Sequence, residues 1–437
     1  MTPATEKPSP PAGGRGLGEG GHEDYTHPSR SPDHYDTLET KTADERGASI
    51  AHALPRAVAA AMRESAYATM FAGVDPKAIT GLAALAHLPV TRKSDLIARQ
   101  AEHPPLGGFA GLDNLARVFA SPGPIYEGHA DGPDPYRFAR ALHASGLRRG
   151  MLLHNSFAYH FTPAGFMLDF GARALGCPVF PAGPGNTEAQ ARAAAHLRPA
   201  CYAGTPDFLK TILETGEGLG LDLSSIKHGH VTGGAYLPAL RTFYADRGIT
   251  VLQSYGTADL GLVAYESEAR DGLIADEGVL IEILRPGTGD PLPEGEVGEV
   301  VVTLLSDNAP LIRFATGDLS ALMPGASPCG RTNTRIRGWM GRADQAAKVR
   351  GMFVRPEQVA EVMRAHPGLG RARLVIGQQD GRDTMTLRVE TPTRDAALVE
   401  SLSRAIQGVM RLRGEVRLEE PGALPNDGKV IEDTRPA

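Results

Sequence analysis

Between residues 151 and 256, short apolar runs alternate with helical stretches, and the connections are too long for hairpins. MLLHN (151–155), CPVFPAG (177–183), ACYAG (200–204), IKHGHVTGG (226–234) and ITVLQSYG (249–256) read as strands. Helices are expected between them. One runs from Ala164 to Leu175 and closes at Gly176, and a second is opened by a Thr187/Gln190 capping box and runs through His196. A third follows Thr205 and Pro206, which supply an N-cap and a first-turn proline, and a fourth is PALRTFYADRG (238–248). Crossovers of about a dozen residues or more join parallel strands, so this order demands a largely parallel, doubly wound sheet. Ligands of such sheets sit beyond the carboxyl ends of the strands. That places HNSFAY, PAGPGN, AGTP, TGG and SYGTAD on one rim.

The flanks read differently. Residues 1–34 are rich in Pro, Gly, Ser and charge, with no periodic apolar face to offset the entropy of ordering, so a disordered tail is expected there. A helical pattern runs from Asp44 to Met70, and Thr91 or Ser94 can cap a further short helix. From Gly278 to Leu322 alternating or apolar runs are split by PGTGDPLPEGE, which predicts antiparallel hairpins. After RGWMGRAD, about 90 residues carry their own small α+β pattern, beginning with a strand AAKVRGMFV and a helix PEQVAEVMRAH. The fold class expected is therefore α/β. A large N-terminal domain (35–338) has doubly wound, mostly parallel sheets and a β-rich subdomain, and a small α+β C-terminal domain (339–437) follows a boundary near Gly338–Asp344.

Charge narrows the function classes. Lys plus Arg number 45 against 51 Asp plus Glu, a formal net charge of -6, which argues against nucleic acid or an anionic membrane as partner. No apolar run approaches the roughly 18 residues of a membrane span, and the N-terminus lacks the apolar stretch of a signal peptide. Cys177, Cys201 and Cys329 are too few and too scattered for a disulfide framework or a four-thiolate zinc site. A cytoplasmic enzyme is the expectation.

Four motifs carry chemistry. SYGTADLG puts Tyr255, Gly256, Thr257 and Asp259 at a strand end, where a carboxylate past a tight turn can hold Mg²⁺ and a hydroxyl can meet phosphate. RFATGDLSAL presents Asp318, a carboxylate able to accept two ribose hydroxyls. GRADQAAKVRGMFV carries Arg342 and Asp344 at the domain boundary, with Gly351 interrupting a strand. LPNDGKVIED places Lys429 on a loop near the C-terminus. Each taken alone is equally an ordinary turn, cap or solvated loop.

Taken in order, the set resembles the adenylate-forming acyl- and aryl-CoA synthetase superfamily, and within it the phenylacetate–CoA ligases. The likeness runs from about His34 to Ile431, through HNSFAYHFTPAG, PAGPGNTEAQ, TGGAYL, SYGTAD, PLIRFATGDL, RGWMGRAD, VRGMFVRPEQVAEV and EEPGALPNDGK. The resemblance implies a two-step reaction of a carboxylic acid, ATP and coenzyme A with Mg²⁺, through an acyl-adenylate. By motif match, Asp318 and Arg342 hold the ribose, while Ser254, Tyr255, Gly256, Gly233, Gly234 and Ala235 frame the nucleotide. Thr257 faces the α-phosphate, Asp259 takes the Mg²⁺ position, Lys429 contacts the reacting carboxylate and phosphate, and Asp344 is the hinge. Phe157, Tyr159 and Phe161 fall where the family builds its acid pocket, and their rings suit an aryl acid as well as they suit plain core packing. Dimers are common in that family.

Two departures stand out. In place of a Ser/Thr/Gly-rich phosphate loop, FASPGPIYEG (119–128) keeps Ser121 and Gly123 but has Pro122 and Pro124, which donate no N–H, and an acidic Glu127. At the positions where relatives carry zinc ligands stand Ala269, Ile274, Ser327 and Cys329, so no zinc site is expected. The degenerate loop keeps two alternatives open: a relative that performs part of the chemistry on a preformed acyl-adenylate or acyl-CoA, and a catalytically silent ligand-binding protein.

Overall fold

The computed structural model describes residues 33–113, 115–121, 125–343, 346–350, 352–379 and 382–435. Nine strands form one mixed sheet. Its parallel part runs in the order Thr250–Thr257, His228–Val231, Cys201–Gly204, Leu153–Asn155 and Val179–Pro181. Gly261–Tyr265, Leu273–Ala275, Arg335–Ile336 and Leu322–Met323 continue it antiparallel on the other side. The strand Cys201–Gly204 displays why helices cover both faces. Cys201 and Ala203 pack with Leu142, Met167 and Leu168, while Tyr202 between them packs with Ala194, Leu209 and Ile212. The helix Pro206–Gly218 meets that second core through Leu209, Ile212, Leu213 and Gly216, one face of a 3.6-residue repeat.

A second sheet pairs Val279–Leu284, Gly298–Leu304 and Phe314–Ser320 as antiparallel neighbours, with a bulge between Glu299 and Val301. The short strand Thr91–Arg92 adds to it in parallel beside Phe314 and Ala315. The C-terminal part builds its own four-stranded sheet, in the order Glu415–Glu419, Arg382–Glu390, Ala372–Gln379 and Ile431–Asp433. Helices Pro356–Arg364 and Ala396–Met410 close a separate core there around Val359, Val362, Leu374, Leu387, Leu402 and Ile406. Among the described residues no helix is long and apolar enough to cross a membrane.

Several local expectations are corrected. The helix from Asp44 to Met70 is two helices, Ala43–Ala61 and Ser65–Met70, the first opened by a Thr42/Glu45 capping box. Thr91 caps nothing; it lies in a strand, its hydroxyl donates to the Ile312 carbonyl, and the next helix, Lys93–Glu102, begins behind Arg92 without a side-chain cap. The Thr187/Gln190 capping box does not form. Gln190 is buried instead, donating to the carbonyls of Gly183 and Gly185 at 2.7 Å and taking the Ser156 hydroxyl and His154 Nε2 on its oxygen. An interior amide must satisfy all its polar atoms, and these loop carbonyls do so where the helix start could not. AAKVRGMFV is a hairpin of Ala347–Val349 and Met352–Val354 rather than one strand. The FASPGPIYEG stretch is likewise a hairpin, Arg117–Ser121 with Ile125–His129, in which Phe119 stands opposite Glu127.

Candidate active site

Asp318 is the centre of a three-donor cluster. It lies on the Phe314–Ser320 strand, and the segment around Arg342 pairs along that strand's edge. Met340 N donates to Leu319 O, Leu319 N to Gly341 O and Ala343 N to Gly317 O, at 2.7–2.9 Å. The buried Asp318 carboxylate accepts the Tyr255 hydroxyl at 2.8 Å on one oxygen. On the other it accepts the Arg342 guanidinium and the Trp339 indole N–H, each at 3.0 Å. Burial, reinforced by the Asp318 charge, pushes the Tyr255 phenol well above its ordinary range, so it acts as a donor. The hydroxyl of Tyr255, a residue expected to frame the nucleotide, is turned to Asp318 and lies 3.1 Å from Thr316 Oγ1.

One turn away, Asp259 sits between the antiparallel strands Thr250–Thr257 and Gly261–Tyr265. Thr257 Oγ1 is 3.5 Å from its carboxylate and accepts the Leu260 N–H. Lys93, at the start of the Lys93–Glu102 helix, donates to Asp259 Oδ2 at 2.6 Å. Sequence reasoning gave Lys93 no role; TRKSDL shows a basic residue but nothing of a partner 166 positions away. Glu127 joins the group from the hairpin. It is buried, one oxygen bonded to the Ser121 hydroxyl and the other without a hydrogen-bond partner. With Asp259, Gln100, Phe109 and Leu311 it lines a cavity of about 60 Å³. Burial pushes the Glu127 carboxyl up to about 7; the Asp259 charge adds to the rise, while Ser121 and Lys93 oppose it.

The glycine turn Gly233–Gly234–Ala235 is exposed at the end of the His228–Val231 strand. Thr232 anchors it to Ser254 by donating to the Ser254 carbonyl at 2.9 Å. Ser254 Oγ ends a buried Ser145–His230–Ser254 chain, both links 2.9 Å, and burial pushes His230 down to about 3, leaving it neutral. The three rings assigned to an acid pocket have different surroundings. Phe157 lies near Gly233, and Tyr159 is held by Asn155 and Asp169 against Phe166. Phe161 is 77% exposed, its carbonyl accepting Ala120 N.

Lys429 stands apart from Thr257 and Asp259. Its exposed side chain lines a cavity of about 60 Å³ with Arg285, Glu296, Arg371 and Asn426. Gly123, Asp344 and Gly351 lie outside the described residues. Cys329 is bonded by Ser327 at 3.1 Å and by the buried Arg331 at 3.4 Å. Burial works to raise this thiol, but hydrogen bonds from Ser267, Ser327 and Arg331 bring it below its ordinary value. Among the described residues no three His, Cys, Asp or Glu side chains group as a metal site.

The family described as AMP-binding enzyme matches residues 137–304. The chain is 36% identical over 393 residues to a phenylacetate-coenzyme A ligase of Thermus thermophilus, the match covering 81% of this chain and 87% of that protein. It is 32% identical to the phenylacetate-coenzyme A ligase of Aromatoleum evansii, over 83% of this chain and 88% of that one. A solved structure of 2-hydroxyisobutyryl-CoA ligase in the postadenylation state, in complex with 2-HIB-AMP, is 25% identical and superposes with a TM-score of 0.69 over 94% of each chain. With long coverage on both sides, the chain belongs to the phenylacetate–coenzyme A ligase family of AMP-binding, adenylate-forming enzymes.

Proposed function

We propose that this protein joins an aryl or similar carboxylic acid to coenzyme A while splitting ATP into AMP and pyrophosphate. The observation that carries the reading is the Asp318 cluster: a buried carboxylate within the strand Phe314–Ser320 with Tyr255 and Arg342 on it, set in a chain whose relatives are named for this reaction. In the first step the acid's carboxylate oxygen attacks the α-phosphorus and the bond to pyrophosphate breaks. In the second, the thiol sulfur attacks the acyl carbonyl, AMP leaves with the C–O bonding pair, and the thiol proton passes to solvent. A bare carboxylate resists attack by a thiol, and the adenylate supplies a leaving group.

The residues divide the work as follows. Asp318 accepts the ribose hydroxyls, with Arg342 completing the grip. The Gly233–Gly234–Ala235 turn and the Ser254–Gly256 strand end flank the base, and the Thr257 hydroxyl faces the α-phosphate. Lys93 and Lys429 bring positive charge to the phosphoryl oxygens, Lys429 by movement of the C-terminal part, from residue 339 onward, about a hinge at Asp344. A divalent cation suits the donors present, since Asp259 and Glu127 are hard oxygen ligands around one small cavity and one Glu127 oxygen is unpartnered. These two residues would hold it, and when bound it would neutralise phosphate charge. Phe157 and Tyr159 are the rings available to an aryl acid. A homodimer and a cytoplasmic setting belong to the same reading.

Glu127 also favours a second reading, in which the site accepts a preformed acyl-adenylate and performs only thioester formation. A buried carboxyl beside Asp259 opposes two further phosphates far more than it opposes one. Pyrophosphate release over a panel of aryl and short-chain acids, with and without coenzyme A, separates the two. Release that depends on an aryl acid supports full ligation; thioester formation from a synthetic acyl-adenylate without any such release leaves only the partial reaction.

A further inference from the structure

We propose that Trp339 is a removable cap on Asp318, and that a bound nucleotide displaces its indole to reach the carboxylate. The inference rests on the reading of Asp318 as the ribose acceptor. An ionised carboxylate offers about four acceptor positions. Tyr255, Arg342 and Trp339 already fill three on Asp318. A ribose brings two vicinal hydroxyls, so one protein donor must leave before both can be accepted.

The three donors are not equally able to go. Tyr255 is buried, with its hydroxyl wedged between Asp318 and Thr316. Arg342 is charged and forms a backbone bridge with Asp318, and its five N–H donors let it keep the carboxylate while turning another N–H to a ligand. Trp339 is neutral, has a single donor, and is 58% exposed. It lies between Gly338 (φ 94°) and Gly341 (φ 122°), backbone conformations that glycine adopts freely and other residues rarely do. Its indole N–H therefore satisfies a buried carboxylate while the site is empty and is the donor that yields to a ligand.

Trp339 is the chain's only tryptophan, so its emission reports on this one contact. The test is a fluorescence titration of the full chain with AMP, run beside calorimetry, and repeated by calorimetry on Trp339→Phe and with 2′,3′-dideoxy-AMP. The expected result is an emission change that follows the calorimetric saturation curve. Trp339→Phe, which keeps a ring but loses the N–H, should bind AMP roughly 3- to 10-fold more tightly, the scale of one exchanged hydrogen bond. It should bind the dideoxy nucleotide no better than the unmodified protein does. AMP binding with unmoved emission, or weaker AMP binding by Trp339→Phe, overturns the cap and leaves the Asp318 reading standing. No calorimetric binding of AMP at all overturns the Asp318 reading and the cap with it.

Discussion

Lys93 Nζ lies 2.6 Å from Asp259 Oδ2, so the carboxylate that sequence motifs assign to a metal carries a counter-ion from this chain. The Asp259 side chain is 4% exposed and that of Lys93 25%. Removing one partner of a buried pair strands the other charge, at a cost of about 3–5 kcal/mol; partial exposure of Lys93 brings the expectation for Lys93→Met to about 1–3 kcal/mol. Lys93→Met with Asp259→Asn should recover most of it. Urea denaturation at neutral pH measures both, and a strictly additive double variant would show that the pair is not coupled.

Glu127 makes stability pH-dependent in the direction opposite to an ordinary ion-paired carboxylate. Its folded-state value, about 7, exceeds the 4.5 of the free side chain, so the native state binds more protons between those two pH values. The native state therefore loses stability as pH rises from about 4.5 to 7, and above 7 the full cost of a buried charge is present. Glu127→Gln should match the unmodified protein near pH 4.5 and exceed it by about 1–3 kcal/mol at pH 8.5, measured with EDTA present. Equal pH profiles for the two proteins would place the Glu127 carboxyl in water.

How far the sequence foretells this molecule depends on whether a feature is local. The parallel core is legible because each strand and helix announces itself within a dozen residues, as in the Leu209, Ile212, Leu213 and Gly216 face. Asp318 and Arg342 can be picked out because each ends a motif of its own. Their shared contacts with Tyr255 and Trp339 depend on strand pairing that no local pattern records. Gln190 misleads for the same reason: its spacing from Thr187 satisfies a capping rule, yet loop carbonyls outside the helix claim its side chain. Glu127 is visible in the sequence as an acidic intruder, but only the hairpin register opposite Phe119 turns it inward toward Asp259.

Gly287 lies close against the start of the C-terminal helix Pro356–Arg364. A Cβ on Gly287 would sit 2.7 Å from both the Glu357 nitrogen and the Pro356 carbonyl carbon, and its φ of 80° is itself unfavourable for alanine. Backbone atoms cannot step aside as a flexible side chain can. Gly287→Ala should therefore push the two parts away from this arrangement without damaging either core. Trypsin should then cut at Arg337, Arg342 or Arg350 several-fold faster than in the unmodified chain. Unchanged digestion would mean that the contact does not restrain the segment.

The role proposed for Lys429 confines it to the adenylation step. Its loop is already docked on the large part: Asn426 accepts the Val297 N–H and donates to the Gly295 carbonyl, both at 3.1 Å. A Cβ on Gly428 would stand 2.8 Å from Val297 and 3.0 Å from Leu319, the neighbour of Asp318. The lysine side chain is nevertheless exposed and lines a cavity with Arg285 and Glu296, so the proposed role requires the loop to be re-seated. Charge placed on a transferring phosphoryl group is worth about 100-fold or more in rate. Lys429→Ala should accordingly cut acid-dependent pyrophosphate release by about that factor. Thioester formation from a synthetic acyl-adenylate and coenzyme A should proceed at close to the unmodified rate, since that step begins after the phosphoryl chemistry is complete. Equal losses in both half-reactions would assign Lys429 to holding the loop, and unchanged pyrophosphate release would remove it from the chemistry.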